Sequence, residues 1–153
     1  MMSKIVRTMS NFLILVVLVY GLYIIMHGHS TPGGGFQGGA VVASGVALLI
    51  VAFGSHSIHE NLKEHHLSIL KSTGLLIFIG LAFGGMARTF FYNFLVGSPI
   101  FGHIPPLGPN PGEMLSGGVI PLMDIGVSLN VAGGLSAILL VMALAITATE
   151  VEE

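Results

Sequence analysis

The sequence predicts an all-α integral membrane protein with four transmembrane helices. Three observations predict it. Hydrophobic residues make up 53% of the chain and charged residues 8%, against roughly 25% charged in soluble domains; that is too little charge to coat a soluble surface. The apolar residues gather into four stretches, at about 8–26, 36–54, 67–96 and 118–149, each near or above the roughly 20 residues that carry a helix across a bilayer core. Polarity does not alternate within them. Leu13-Ile14-Leu15-Val16-Val17-Leu18-Val19 is a continuous apolar run, unlike a barrel strand, and backbone groups in lipid must be satisfied within a helix. The length fits one membrane domain, 1–153.

The first span follows Lys4 and Arg7. A basic start before an apolar run is also how a signal peptide begins. Here His27-Gly28-His29 stands where small cleavage-site residues would be, so the expectation is a retained helix. The second span opens out of a glycine-rich loop. Between it and the third lie His56, His59, Glu60, Lys63, Glu64, His65 and His66. Their spacing suits one or two solvated helical turns, with histidines spread around the turn and not converging as zinc ligands do. A wetted connector is the plain expectation; a proton-collecting surface is the alternative, because imidazoles titrate near neutral pH. The third and fourth spans exceed the minimum and must tilt, kink or project. Between them, 97–112 is broken by repeated proline and glycine, which forbids regular helix. It is apolar for a loop and is expected to pack on a neighbouring protein or lie among headgroups.

Lysine and arginine set the orientation. Lys4 and Arg7 precede the first span, and Lys63 and Lys71 lie in or beside the loop between the second and third. The positive-inside rule then puts both termini and the 55–66 loop in the cytoplasm of a multi-pass cell-membrane protein.

The absence of cysteine excludes a disulfide scaffold, a thiolate-held cluster and a cysteine nucleophile within this chain. A net charge of −2 without a basic patch gives no sign of nucleic acid. No catalytic centre, metal site or cofactor is expected here, and any redox centre of a larger machine would sit in other subunits.

The loop His27-Gly28-His29-Ser30-Thr31-Pro32-Gly33-Gly34-Gly35-Phe36-Gln37-Gly38-Gly39 is the most specific feature. Gly33 to Gly35 after Pro32 permit positive φ and a tight turn, and Gly38 and Gly39 let helices approach closely in lipid. One reading is a tight hairpin. The other is a gap in which backbone groups, His27, His29 or Gln37 meet an ion or water path. A phosphate cradle is excluded, because neither a preceding strand nor a Lys-Ser/Thr end is present.

This loop resembles the signature of the MnhB-like family, the MrpB-type subunits of Mrp-type (Mnh-type) multisubunit sodium/proton antiporters. The basic start, the four-span layout and the segment running into Gly117-Gly118-Val119-Ile120-Pro121-Leu122 also resemble that family. Similar subunits occur in the sodium-translocating modules of archaeal membrane-bound hydrogenases and their sulfur-reducing relatives. The resemblance implies an accessory subunit that helps assemble the complex and line its ion path. Its partners would be other antiporter-module membrane subunits, or hydrogenase subunits if the host is a redox-driven ion pump. A self-contained small carrier or assembly factor is the unrelated alternative, disfavoured because so few internal polar groups leave little for a substrate pocket.

The charges within spans are the remaining candidates. Arg88 falls in the third stretch, and an arginine there either pairs, lines a polar cavity or snorkels to the surface. Asp124 is the partner counted from the outer loop, and Asn130 is the partner counted from the other end. The first two spans hold no charge at mid-membrane, so a complete proton wire within this chain is not expected.

Overall fold

A computed structural model describes residues 2–100, 102–103 and 116–149. It contains α1 (Lys4–Met26), α2 (Gly34–Phe53), the short α3 (Ser55–Asn61), α4 (Glu64–Gly84) and α5 (Ile120–Thr149), with a 3₁₀ turn at Gly28–Ser30. All but α3 are long and apolar enough to cross a membrane. The protein is an all-α integral membrane protein of four spans.

Side by side, the spans run α1, α2, α5, α4. α2 packs on both α1 and α5, and α4 packs chiefly on α5. α1 and α2 form an antiparallel hairpin, with Gly21 against Val41 and Val42, and Gly45 against Ile14 and Val17. α2 and α5 run parallel, since Gly35 meets Asp124 and Gly39 meets Ser128 and Val131. α4 and α5 are antiparallel: Gly74 meets Gly126 and Asn130, and Gly133 meets Leu67 and Lys71. In lipid no hydrophobic force drives helices together, so close backbone approach at small residues does that work. Burial follows the same logic: Ser128, Ser136 and Leu140, all on the shared helix α5, are fully buried.

α1 starts with Ser3 as its N-cap, whose hydroxyl accepts from Val6 N–H at 3.4 Å. Arg7 stacks over Phe53 at 5.6 Å, tying the start of α1 to the end of α2. Glu64 stands in the first turn of α4, where an acid complements the helix dipole. α3 is the expected wetted connector. His56, Glu60, His65 and His66 are exposed there, and His56 Nδ1 lies 3.7 Å from Glu60 Oε1.

One boundary differs from expectation. The third span does not run over 67–96: α4 starts at Glu64 and ends at Gly84. Beyond it the chain turns back on itself. Phe91 N–H donates to Ala82 O at 3.2 Å, and Phe91 takes φ 64°, a conformation disfavoured for a bulky side chain. Ring contacts compensate: Phe91 lies 5.8 Å from Phe78 and 4.5 Å from Phe90, and Phe90 lies 5.3 Å from Phe83. The apolar residues after Gly84 thus cap the end of α4 and do not extend the span. Of the loop 97–112, only 97–100 and 102–103 fall within the described residues, and the expected packing of the rest lies outside them. His103 and Ser116 form an isolated bridge across it.

Asn93 closes this end. Its Nδ2 donates to Gly117 O at 2.8 Å and its Oδ1 accepts from Val119 N–H at 2.8 Å. One amide thus serves an acceptor and a donor at the entrance to α5, where helix N–H groups lack partners. Asn93→Ala is expected to cost about 1–3 kcal/mol, the penalty for stranding part-buried polar groups. A thermal melt of the solubilised complex should fall for Asn93→Ala. An unchanged melt would show that the clamp contributes nothing.

Candidate functional site: a carboxylate in a glycine cradle

Gly33 begins the site, because the chain must reverse between α1 and α2 within a few residues. It takes φ 97° and Gly34 φ 41°, which side-chain-bearing residues rarely adopt. Gly35 does not share this role. It is an ordinary helical residue whose missing side chain lets the Asp124 backbone carbonyl lie against it. Two of the three consecutive glycines therefore serve the turn, and the third serves a close approach.

α2 lacks a side-chain cap of its own, since its N-cap is Gly33. Asp124 of α5 supplies the acceptor: Gly35 N–H donates to Asp124 Oδ1 at 3.4 Å. A carboxylate at a helix N-terminus also meets the positive end of its dipole. Cβ atoms added at Gly28 or Gly34 would stand 2.8 and 2.9 Å from the carboxylate oxygens, so bare backbone forms the cradle on both sides. Asp124 Oδ2 is screened from solvent and has no hydrogen-bond partner among the described residues. His29, on the 3₁₀ turn, is near enough to act on Asp124 electrostatically. Its Nε2 lies 3.4 Å from Ser116 Oγ. Asp124 is four residues, about 6 Å, into α5.

The other sequence candidates divide. His27 turns away from Asp124; its Nδ1 donates to Tyr23 O at 3.1 Å and its ring lies 4.4 Å from the Tyr23 ring. Gln37 folds its amide over Gly33. Pro32 and Phe36 are exposed. Gly38 faces Ile25 of α1 while Gly39 faces Ser128 of α5, so adjacent glycines serve two different neighbours. Asn130 Nδ2 donates to Lys71 O at 3.0 Å, binding α5 to the α4 backbone and not to an arginine.

Arg88 is a correction. It lies past the end of α4, is exposed, and donates from Nη1 to Tyr92 Oη at 3.1 Å with its guanidinium 5.2 Å over the same ring. It pairs with neither Asp124 nor Asn130 among the described residues. Its depth was misjudged because helical rise was carried on to 96. Arg88→Ala should leave the melting of the complex within about 0.5 kcal/mol of wild type, the usual range for exposed positions. A loss of several times that would show the side chain to be engaged elsewhere. Sequence reasoning missed Asn93 altogether. A lone asparagine in an apolar stretch was the one available signal.

These features describe a class: a small helical membrane protein with an ionisable group held at a three-helix junction inside the span. The comparisons with known proteins narrow the class to a family. A family model described as a domain related to the MnhB subunit of Na+/H+ antiporter matches residues 5–137, and the chain belongs to that family. It is 30% identical over 139 residues to a putative antiporter subunit, mnhB2, of Staphylococcus haemolyticus, covering 90% of this chain and 92% of that one. It is 31% identical over 143 residues to the MnhB-type Na(+)/H(+) antiporter subunit of Alkalihalophilus pseudofirmus, covering 90% of each chain. It is also 33% identical over 142 residues to an uncharacterized protein of Methanocaldococcus jannaschii, covering 88% of this chain but spanning only 50% of that longer protein.

Proposed function

We propose that this chain is an accessory membrane subunit of a multisubunit Na+/H+ antiporter module, which helps assemble the complex and lines part of its ion-translocation path. The antiporter subunits named above support the module, and one observation carries the finer reading. Asp124 presents a carboxylate inside a span with one oxygen fixed by Gly35 N–H and the other without a protein partner among the described residues, beside His29. Ionisable groups are costly in a membrane and mark ion or proton pathways more often than packing. The first two spans carry no such group at mid-depth, so other subunits would complete the path. Assembly rests on the glycine junction that joins α1, α2 and α5.

Affinity purification of the gently solubilised complex tests the host. Co-purifying antiporter subunits support the reading, hydrogenase or sulfur-reducing chains would move it to a redox-driven module, and a lone 16.0 kDa species would overturn it. The orientation is part of the same proposal. Lys4, Arg7 and Lys63 lie at one end of the bundle, where α1 starts and α2 ends, and that end is the cytoplasmic one. Single cysteines at Ser57 and Ser98 should react with a membrane-impermeant thiol reagent from opposite sides. Labelling from one side would break the topology.

A further inference from the structure

Two hollows on α1 share a wall. One is an apolar groove of about 440 Å³ lined by Leu15, Val16, Val19, Tyr20 and Tyr23. The other is a pocket of about 480 Å³ whose walls include Tyr20, Tyr23, His27, Ser30, Thr31 and Gln37. Tyr20 and Tyr23 belong to both, so the groove leads into the pocket. Leu15 stands at the midpoint of α1. From there to Met26 the helix rises about 16 Å, half of a bilayer core about 30 Å thick. The hollow is thus apolar along one leaflet and becomes polar where that leaflet ends.

We infer that this hollow binds a single phospholipid, with an acyl chain along Val16 and Val19 and the phosphate headgroup among His27, Ser30 and Gln37. The groove is continuous with the exposed apolar surface of α1 that faces lipid, where Phe12 and Leu22 also lie. A helix from another subunit is the competing occupant, and the composition of the face argues against it. Wherever this chain packs helix on helix it uses small residues: Gly21 and Gly45 between α1 and α2, Gly39 between α2 and α5, Gly74 and Gly126 between α4 and α5. The groove face has none. Its leucine, valines and tyrosines are each more than half exposed, which suits a flexible chain better than a second backbone. Tyrosines at this depth are the side chains that settle among headgroups. The polar end offers hydroxyl, amide and imidazole groups and no acidic side chain, as a phosphate requires. Thr31 Oγ1 donates to His27 O at 3.3 Å and His27 Nδ1 to Tyr23 O at 3.1 Å, so the pocket wall is already held in place.

The test uses the whole complex in nanodiscs of phosphatidylethanolamine and phosphatidylglycerol. A fraction of the phosphatidylglycerol carries a diazirine halfway along one acyl chain. After irradiation, adducts mapped by mass spectrometry should concentrate on Val16 and Val19 over Ile69 and Leu76, exposed residues of α4. Excess unlabelled phosphatidylglycerol should remove the α1 adducts and spare those on α4. Val19→Trp, which fills the groove at an open position, should lose the α1 adducts while the α4 adducts persist. Gln37→Leu, which removes a headgroup partner and leaves the groove open, should reduce the α1 adducts and spare those on α4. Equal labelling of both faces without competition would show bulk lipid only and overturn the proposal. A photoreactive amino acid at Val19 supplies an independent reading that does not depend on the tryptophan variant assembling: lipid adducts support the site, and a cross-link to another subunit would overturn it.

Discussion

Gly35→Ala removes this subunit from its complex. A single added methyl group would collide with the Asp124 backbone carbonyl and crowd its Cα, 3.0 Å away. Neither atom can swing aside as a side-chain tip would, because both are part of the α5 backbone. The helices must separate, and overpacking of this kind costs about 1–3 kcal/mol and sometimes more. Separation also lengthens the Gly35 N–H bond to Asp124 Oδ1, so packing and capping fail together. Immunoblotting of the purified complex should show the subunit depleted. A control separates collision from conformational freedom. Gly33→Ala strains a φ of 97° and meets only the flexible Gln37 side chain, so it should be the milder change. Full assembly of Gly35→Ala would refute the close approach.

Asp124→Asn abolishes most sodium-dependent proton transport in vesicles while leaving the complex assembled. Asparagine keeps a carbonyl oxygen for Gly35 N–H and nearly the same volume, so the cap on α2 survives. What goes is the negative charge beside His29 and the carboxylate oxygen that has no protein partner among the described residues. A drop of about tenfold or more, equivalent to about 1.4 kcal/mol in the barrier, is the expected result. Asp124→Leu should do more. It strands Gly35 N–H, and losing such a cap costs about 1 kcal/mol, so assembly falls along with transport. Normal transport in Asp124→Asn would sink the ion-path role and leave the carboxylate as a helix cap alone.

Much of the fold was legible because bilayer thickness turns hydropathy into helix length. The first, second and last spans appear within a few residues of where they were read. The third failed for a physical reason. Hydropathy measures what a segment prefers to touch, and Phe90, Phe91 and Phe94 are as apolar folded over a helix end as they would be within a helix. The Gly84-Gly85 pair carried the stop signal, and a continuous apolar count runs straight through it. The glycine loop announced a tight turn, yet its partner could not be read. Asp124 lies 89 residues from Gly35, and nothing local to either position names the other. The same holds for Asn93 and Gly117, 24 residues apart. Arg88 was misplaced only because its depth was counted along a helix that had already ended.

The position of α5 has a consequence for how the protein is made. Chains are synthesised from the N-terminus, and α5 emerges last, yet α2 and α4 both pack on it. Until it arrives, the glycine face of α2 at Gly35 and Gly39 and that of α4 at Gly74 have no backbone to meet. The α1–α2 hairpin can close early, but α4 has to wait in the bilayer beside it with only the bend that follows Gly84 to hold it. The last helix inserted therefore completes both remaining seams in one event, and a ribosome that stalls before residue 120 leaves two open helix faces in the membrane.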